Sequence, residues 1–179
     1  MLYRLPEYID PLQLADNRGE LKGQIPVSEL DRLNDLLIAD TGSVTVALFF
    51  GREGRLPKIE GTLETELNLC CQNCLQAVAW PVKHTVKLGI VKTIEQADRL
   101  PEDFEPLLIT TDTVFLKEII EDELLLTLPT YPKHPYDCLA LHKDIKNSDT
   151  DTGQAHKKNP FSILANLKNT GDLNGSTKK

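Results

Sequence analysis

Val78-Ala79-Trp80-Pro81-Val82-Lys83-His84-Thr85-Val86-Lys87-Leu88-Gly89-Ile90 alternates apolar and polar side chains over its length. Val78, Trp80, Val82, His84, Val86, Leu88 and Ile90 share one side, against Ala79, Pro81, Lys83, Thr85 and Lys87 on the other, which is the period of a strand with one buried face. Two earlier stretches repeat the pattern: Val44, Val46, Leu48 and Phe50, and then Leu63, Thr65, Leu67 and Leu69, with a turn at Gly51 to Gly54 before the second. Three such stretches in succession predict an antiparallel meander with one face on a core. Pro81 lacks a backbone N–H, so its strand is expected at an edge or bulged near its start.

Outward from this centre the period changes. Val27, Leu30, Leu33 and Leu37 recur at helical spacing after Pro26, with Ser28 and Asp31 placed as a capping box, and predict a helix of about three turns. Residues 1–24, punctuated by Pro6, Pro11, Gly19 and Gly23, read as an opening edge strand near Leu2 to Ile9 and a connecting loop. On the other side, Thr93 to Gln96 resembles a capping box for a short helix ending before Pro101, and Leu107 to Thr110 reads as a short strand. Residues 113–127 carry the clearest helical stripe, Leu116, Ile119, Ile120, Leu124 and Thr127, with Lys117, Glu118, Glu121 and Asp122 mainly outside it and Pro129 as the stop. Residues 143–158 have no apolar period to offset ordering entropy and read as a disordered linker. Asn159-Pro160 then opens a short helix with Phe161, Ile163, Leu164 and Leu167 on one side. The expected fold is α+β: an antiparallel meander sheet with two principal helices in a single domain over 1–142, and a flexible polar tail over 143–179 with a short amphipathic helix near 160–168.

The 179 residues and 20.1 kDa fit one ordinary domain with a tail. No stretch approaches the roughly 20 apolar residues of a membrane span, and the N-terminus lacks the pattern of a secretory signal, so neither membrane insertion nor export is expected. Four cysteines, three of them crowded into Cys70 to Cys74, fit a reducing, cytoplasmic setting better than a disulfide framework. The net charge is −7, and it is unevenly spread: residues 1–142 hold 13 basic and 23 acidic side chains, whereas 143–179 hold 7 and 4. Binding that neutralises phosphates needs Lys and Arg in surplus, so RNA contact is expected to be indirect or through the basic tail.

Cys71-Gln72-Asn73-Cys74 falls between two predicted strands and so occupies a hairpin tip, the form of a zinc knuckle. Zinc requires four tetrahedral ligands. Around Cys138, His134 lies four residues before and His142 four after, and a structural zinc site of Cys71, Cys74, Cys138 and His134 would clip the hairpin tip to the segment after the long helix. Reduced, unliganded thiols are the simpler reading of the same residues. A third reading, a thiol oxidoreductase, places CxxC at a helix N-terminus after a strand, whereas here the pair leads into another strand. Cys70 reads as a core thiol and His84 as a hydrogen-bonded core histidine. The acidic run from Glu102 to Glu123 reads as solvated surface. No Walker, GxSxG, HExxH or dinucleotide motif occurs, so neither catalysis nor a small-molecule substrate is expected.

Four segments, taken together and in order, resemble the YceD family of large ribosomal RNA subunit accumulation proteins. They are Leu69 to Cys74, Leu100 to Pro106, Glu121 to Pro129, and Asn159 to Lys168. The resemblance implies a bacterial cytoplasmic factor, not an enzyme, needed for accumulation of the large-subunit (23S) rRNA through its synthesis, processing or protection. It also matches Cys71 and Cys74 to the family CxxC and Cys138 to a later family cysteine. The acidic body is expected to meet basic ribosomal proteins or the rRNA transcription and processing machinery, with Phe161, Leu164 and Leu167 as a docking helix or as a cover for a sheet edge. The other functional reading is a zinc-stabilised binding module elsewhere in RNA metabolism.

Overall fold

A computed structural model describes residues 5–139. In chain order these form β1 (Tyr8–Ile9), α1 (Pro11–Asp16), β2 (Glu20–Pro26), two 3₁₀ turns (Val27–Glu29 and Asp31–Leu36), β3 (Leu37–Ala39), β4 (Ser43–Glu53), β5 (Leu56–Cys70), β6 (Ala77–Val91), α2 (Ile94–Ala97), β7 (Glu105–Leu108), β8 (Val114–Phe115) and α3 (Leu116–Thr127). The long alternating segment is β6, and it pairs antiparallel with β5 from Ala77 opposite Cys70 to Gly89 opposite Lys58. β4 lies on the other side of β5 and β2 beyond it, giving the order β2-β4-β5-β6-β7, with short β3 pairing the far end of β5. Pro81 sits opposite Glu66 in the part of β6 that β7 does not reach, so its missing N–H interrupts no second ladder.

One face of this sheet is the core. Val44, Val46, Leu48, Phe50, Ile59, Leu63, Leu67, Val82, Val86 and Leu88 are buried there with Ile120 and Leu124 of α3. The helix is fixed at its start by the two-stranded pairing of β1 with β8 and by the Leu116 N–H, which donates to the Glu7 carbonyl at 3.0 Å. A close backbone approach holds β4 to β5: a Cβ on Gly61 would lie 2.1 Å from the Ala47 carbonyl oxygen and 2.9 Å from the Leu48 Cα.

Several expectations are corrected. The segment after Pro26 is not an α-helix but two 3₁₀ turns, broken by Leu30 at φ −94°, ψ 82°, so α3 is the one helix of the described residues longer than two turns. The burial pattern gives the reason. Val27, Leu30 and Leu33 are three apart and all fully buried, and three residues per turn is the 3₁₀ repeat. The sheet is mixed, because β7 pairs parallel to β6; residues 92–104, with α2 among them, make the crossover that a parallel neighbour needs. The reading of 1–24 as strand and loop missed α1, where Pro11 follows an Asp10 cap whose carboxylate accepts from the Gln13 N–H at 2.9 Å, and β2, the sheet edge. The tail helix with Phe161, Leu164 and Leu167, and His142, lie outside the described residues.

The Gly61 contact gives a stability prediction. Gly61→Ala must separate two paired backbones and is expected to cost about 2–3 kcal/mol or more. Gly54→Ala, at φ +61° with nothing within 4 Å of its new Cβ, should cost only about 1 kcal/mol for the left-handed backbone. Urea denaturation of the two variants beside the parent chain measures the difference.

Candidate metal centre

β5 and β6 are joined at Cys71 to Gln76. The Leu75 N–H donates to the Cys71 carbonyl at 2.9 Å, the Cys71 N–H to the Gln76 carbonyl at 2.9 Å, and Leu75 takes the left-handed φ of +60° that reverses the chain. This tight tip turns Cys71 and Cys74 inward. Opposite it, the Gln72 N–H donates to the Pro132 carbonyl at 2.9 Å, so the segment after α3 is already tied across the tip.

That segment brings the other two side chains. Cys71, Cys74, His134 and Cys138 each offer one ligand atom, and the four atoms lie within 4.8 Å of one another. The Cys71 and Cys138 sulfurs are 3.8 Å apart and the Cys74 sulfur is 3.5 Å from His134 Nδ1. A 3.8 Å separation is far from a disulfide bond of about 2.05 Å. Tetrahedral zinc, with Zn–S about 2.3 Å and Zn–N about 2.0–2.1 Å, sets these edges at about 3.8 and about 3.5 Å. The imidazole is also oriented from behind: Nε2 lies 3.1 Å from the Ala77 carbonyl oxygen, an acceptor, so Nε2 carries the proton and Nδ1 presents its lone pair to the cluster. The Tyr136 ring packs on that imidazole, with centroids 4.8 Å apart.

The electrostatics are asymmetric. Burial alone pushes the Cys71 thiol up, but hydrogen bonding from the backbone at Cys74, Asn73 and His134 outweighs it and brings the thiol down to about 5. Cys138, which burial and the neighbouring sulfurs push the same way, is raised to about 11. The thiolate form is thus favoured at Cys71 and disfavoured at Cys138. Cys71 follows a strand and precedes a turn, without the helix N-terminus of a thioredoxin-like pair. Cys70 is half-buried, its sulfur directed at the Cys71 carbonyl, and is not part of the cluster.

Sequence reasoning missed two buried acids. Glu121 and Glu123, read as surface, are 2% and 5% exposed. Glu121 accepts from the Arg32 N–H at 3.2 Å, satisfying the start of the second 3₁₀ turn, while Arg32 and Lys117 pair with Asp122 and Asp31 beside it. Glu123 Oε2 lies 2.7 Å from His84 Nε2, which gives the polar member of the β6 face its partner. The signal was present in that lone His among apolar side chains, but its partner is 39 residues away.

The family model described as large ribosomal RNA subunit accumulation protein YceD matches residues 59–168. The chain belongs to the YceD family. It is 29% identical over 172 residues to the large ribosomal RNA subunit accumulation protein YceD of Haemophilus influenzae, covering 92% of this chain and 97% of that protein. No solved structure matches it. The YceD match spans the hairpin tip and the segment that closes over it. No helix among the described residues is long and apolar enough to cross a membrane.

Glu123 generates a pH prediction. Burial pushes its carboxyl above the ordinary range, Glu105 and Asp122 add to this, and the His84 hydrogen bond offsets it only in part. An acid raised in the fold binds its proton more tightly there, so its stabilisation is full below the unfolded pKa and is lost as pH rises through the folded one. Glu123→Gln keeps a hydrogen-bonding group near His84 without the buried charge. The variant should therefore be at least as stable as the parent at pH 7, and the gap should close as pH falls through the carboxylate range. Urea midpoints between pH 4 and 7 measure it.

Proposed function

We propose that this chain is a non-enzymatic cytoplasmic factor supporting accumulation of large-subunit rRNA, and that a structural zinc ion held by Cys71, Cys74, His134 and Cys138 locks its hairpin tip to the segment after α3. The rRNA role rests on YceD membership together with a relative that matches over nearly its full length. The observation carrying the zinc reading is the pair of ligand edges, 3.8 and 3.5 Å, that a tetrahedral ion would span. Three sulfurs with one oriented imidazole make a closed ligand set, with no position left for a reacting water, and that is the donor set of a structural site rather than a catalytic one.

Zinc here would act on folding. Residues 129–139 carry no helix or strand, and they are held to the body by the buried Pro132 and Cys138 and by a few hydrogen bonds, Gln72 to Pro132 and His134 to Ala77 among them. A metal bond to two points of that segment and two of the hairpin would fix it, because binding free energy for the folded site is folding free energy. The acidic balance of residues 1–142 favours a basic protein partner in the rRNA synthesis or processing machinery, with the tail residues Phe161, Leu164 and Leu167 as a second point of docking.

Protein purified under reducing conditions should carry one zinc per chain by elemental analysis. The Cys71→Ser, Cys74→Ser double variant should lose it and about 3 kcal/mol or more of stability at saturating zinc, while Cys70→Ser should keep both. In a strain lacking the gene, the parent chain should restore the ratio of large- to small-subunit rRNA. A metal-free parent chain refutes the zinc site, and an unchanged ratio on deletion refutes the rRNA role.

A further inference from the structure

At the opposite end of the β5–β6 hairpin from the cysteines, the β4–β5 turn, the end of β6 and the loop through α2 enclose a cleft of about 600 Å³. Its charge runs against that of the chain. The lining includes Arg52, Arg55, Lys92 and Arg99, all exposed, and a single acid, Glu53. Glu53 is itself bridged to Lys58 at 3.0 Å. Arg52 is held by Asp16 and Lys92 stands 4.0 Å from Asp112, whereas neither Arg55 nor Arg99 has an ion-pair partner among the described residues. Four cations around one concavity, two of them uncommitted, are unexpected in a body that carries 23 acids against 13 bases. Between them the floor is apolar, with Leu56 and Leu100 half-buried.

We propose that this cleft binds the phosphate backbone of single-stranded RNA. A positively charged groove that tracks the backbone, over an apolar floor that accepts ribose and base faces, is the general form of a single-strand site. The lining has no aromatic ring to stack bases, and the Oε1 of its one side-chain amide, Gln96, already accepts from the Lys92 N–H at 2.8 Å, so recognition is of the backbone and independent of sequence. The choice of RNA over other polyanions rests on the rRNA-accumulation reading, but the cationic cleft does not.

The two uncommitted arginines give the test. Full-length protein is titrated into a fluorescein-labelled 12-nucleotide oligouridine, with anisotropy followed from 50 to 200 mM salt. Arg55→Ala, Arg99→Ala should weaken binding at least tenfold at 50 mM salt. It should also flatten the dependence of log K on log salt by about 1.4, since each single-strand phosphate contact contributes about 0.7. Zinc content and circular dichroism should match the parent, because the cleft lies at the other end of the hairpin. A 4-thiouridine oligonucleotide should cross-link to peptides from residues 52–57 and 92–101.

Parent protein that does not bind the oligonucleotide at 50 mM salt, a double variant that binds as the parent does, or cross-links confined to 143–179 would each overturn the proposal. If RNA binding is absent but the double variant fails to restore the rRNA ratio that the parent chain restores, the cleft takes an acidic protein and the RNA assignment is wrong. Failure of the parent chain itself to restore that ratio is a failure of the rRNA role, and leaves the binding result to decide the cleft.

Discussion

The antiparallel register between β5 and β6 is the constraint on which the remaining arrangement hangs. Both strands are 15 residues long, and their pairing is continuous from the hairpin tip to Gly89 opposite Lys58. Because side chains alternate with period two, a slip of one residue would move Val82, His84, Val86 and Leu88 from the core to solvent. It would also turn the Cys71–Cys74 tip away from His134 and Cys138. Neighbouring strands add to this one pairing: β4 lies along the first half of β5, held at Gly61 by backbone contact that a single methyl group would disrupt, and β3 along its end. The two ends of the hairpin, roughly 45 Å apart at the rise of a strand, therefore have fixed orientations before either does anything functional.

α3 completes the body through an unusual choice of polar contacts. Its apolar stripe covers the sheet, but Glu121 and Glu123 are also inside, and each has a partner: the Arg32 amide and the His84 ring. No buried side-chain polar atom of the described residues lacks a hydrogen bond. Burying a carboxylate is costly, and a leucine at either position would bury as much apolar surface without that cost. What the carboxylates add is register. A leucine tolerates rotation of the helix by several degrees, whereas a carboxylate bonded to one amide or one imidazole does not. The fixed helix end at Pro129 then delivers residues 130–139 to the hairpin tip, where the cysteine and histidine atoms converge.

What could be read from the sequence was what depends on short-range period. The β4, β5 and β6 strands, α2 with its Thr93 cap, and most of α3 follow from alternation, capping and the 3.6-residue stripe within single segments. The segment after Pro26 reads as an α-helix because Val27, Leu30 and Leu33 fit a helix face over so short a span, and the distinction between three and 3.6 residues per turn needs a longer run to show. The parallel β6–β7 pairing and the edge position of β2 are relations between segments and have no local signature. The grouping of Cys71, Cys74, Cys138 and His134 could be named as a candidate from spacing because thiols and imidazoles are few, and the four atoms do lie together. Glu121 and Glu123 were hidden among eight carboxylates between Glu102 and Glu123, where composition points to solvent and only the fold separates the two that are buried.

Net charge also misdirects where charge is segregated. An excess of ten acids over bases across residues 1–142 argues against contact with a polyanion if the body is treated as a point. It is not one. At about 0.1 M salt the screening length is about 10 Å, so carboxylates along the far half of a hairpin roughly 45 Å long contribute little to the potential in a cleft at its end. The charges that count there are the local ones, and among the cleft lining they are four cations and one bridged carboxylate. Asp16 and Asp112 temper two of the cations, and the exposed acids of the same loop, Glu95, Asp98, Glu102 and Asp103, lie outside the lining, which leaves Arg55 and Arg99 as the lining cations without an ion-pair partner. An acidic surface elsewhere then has a use of its own. There it would repel a nucleic acid strand, which favours approach at the cleft.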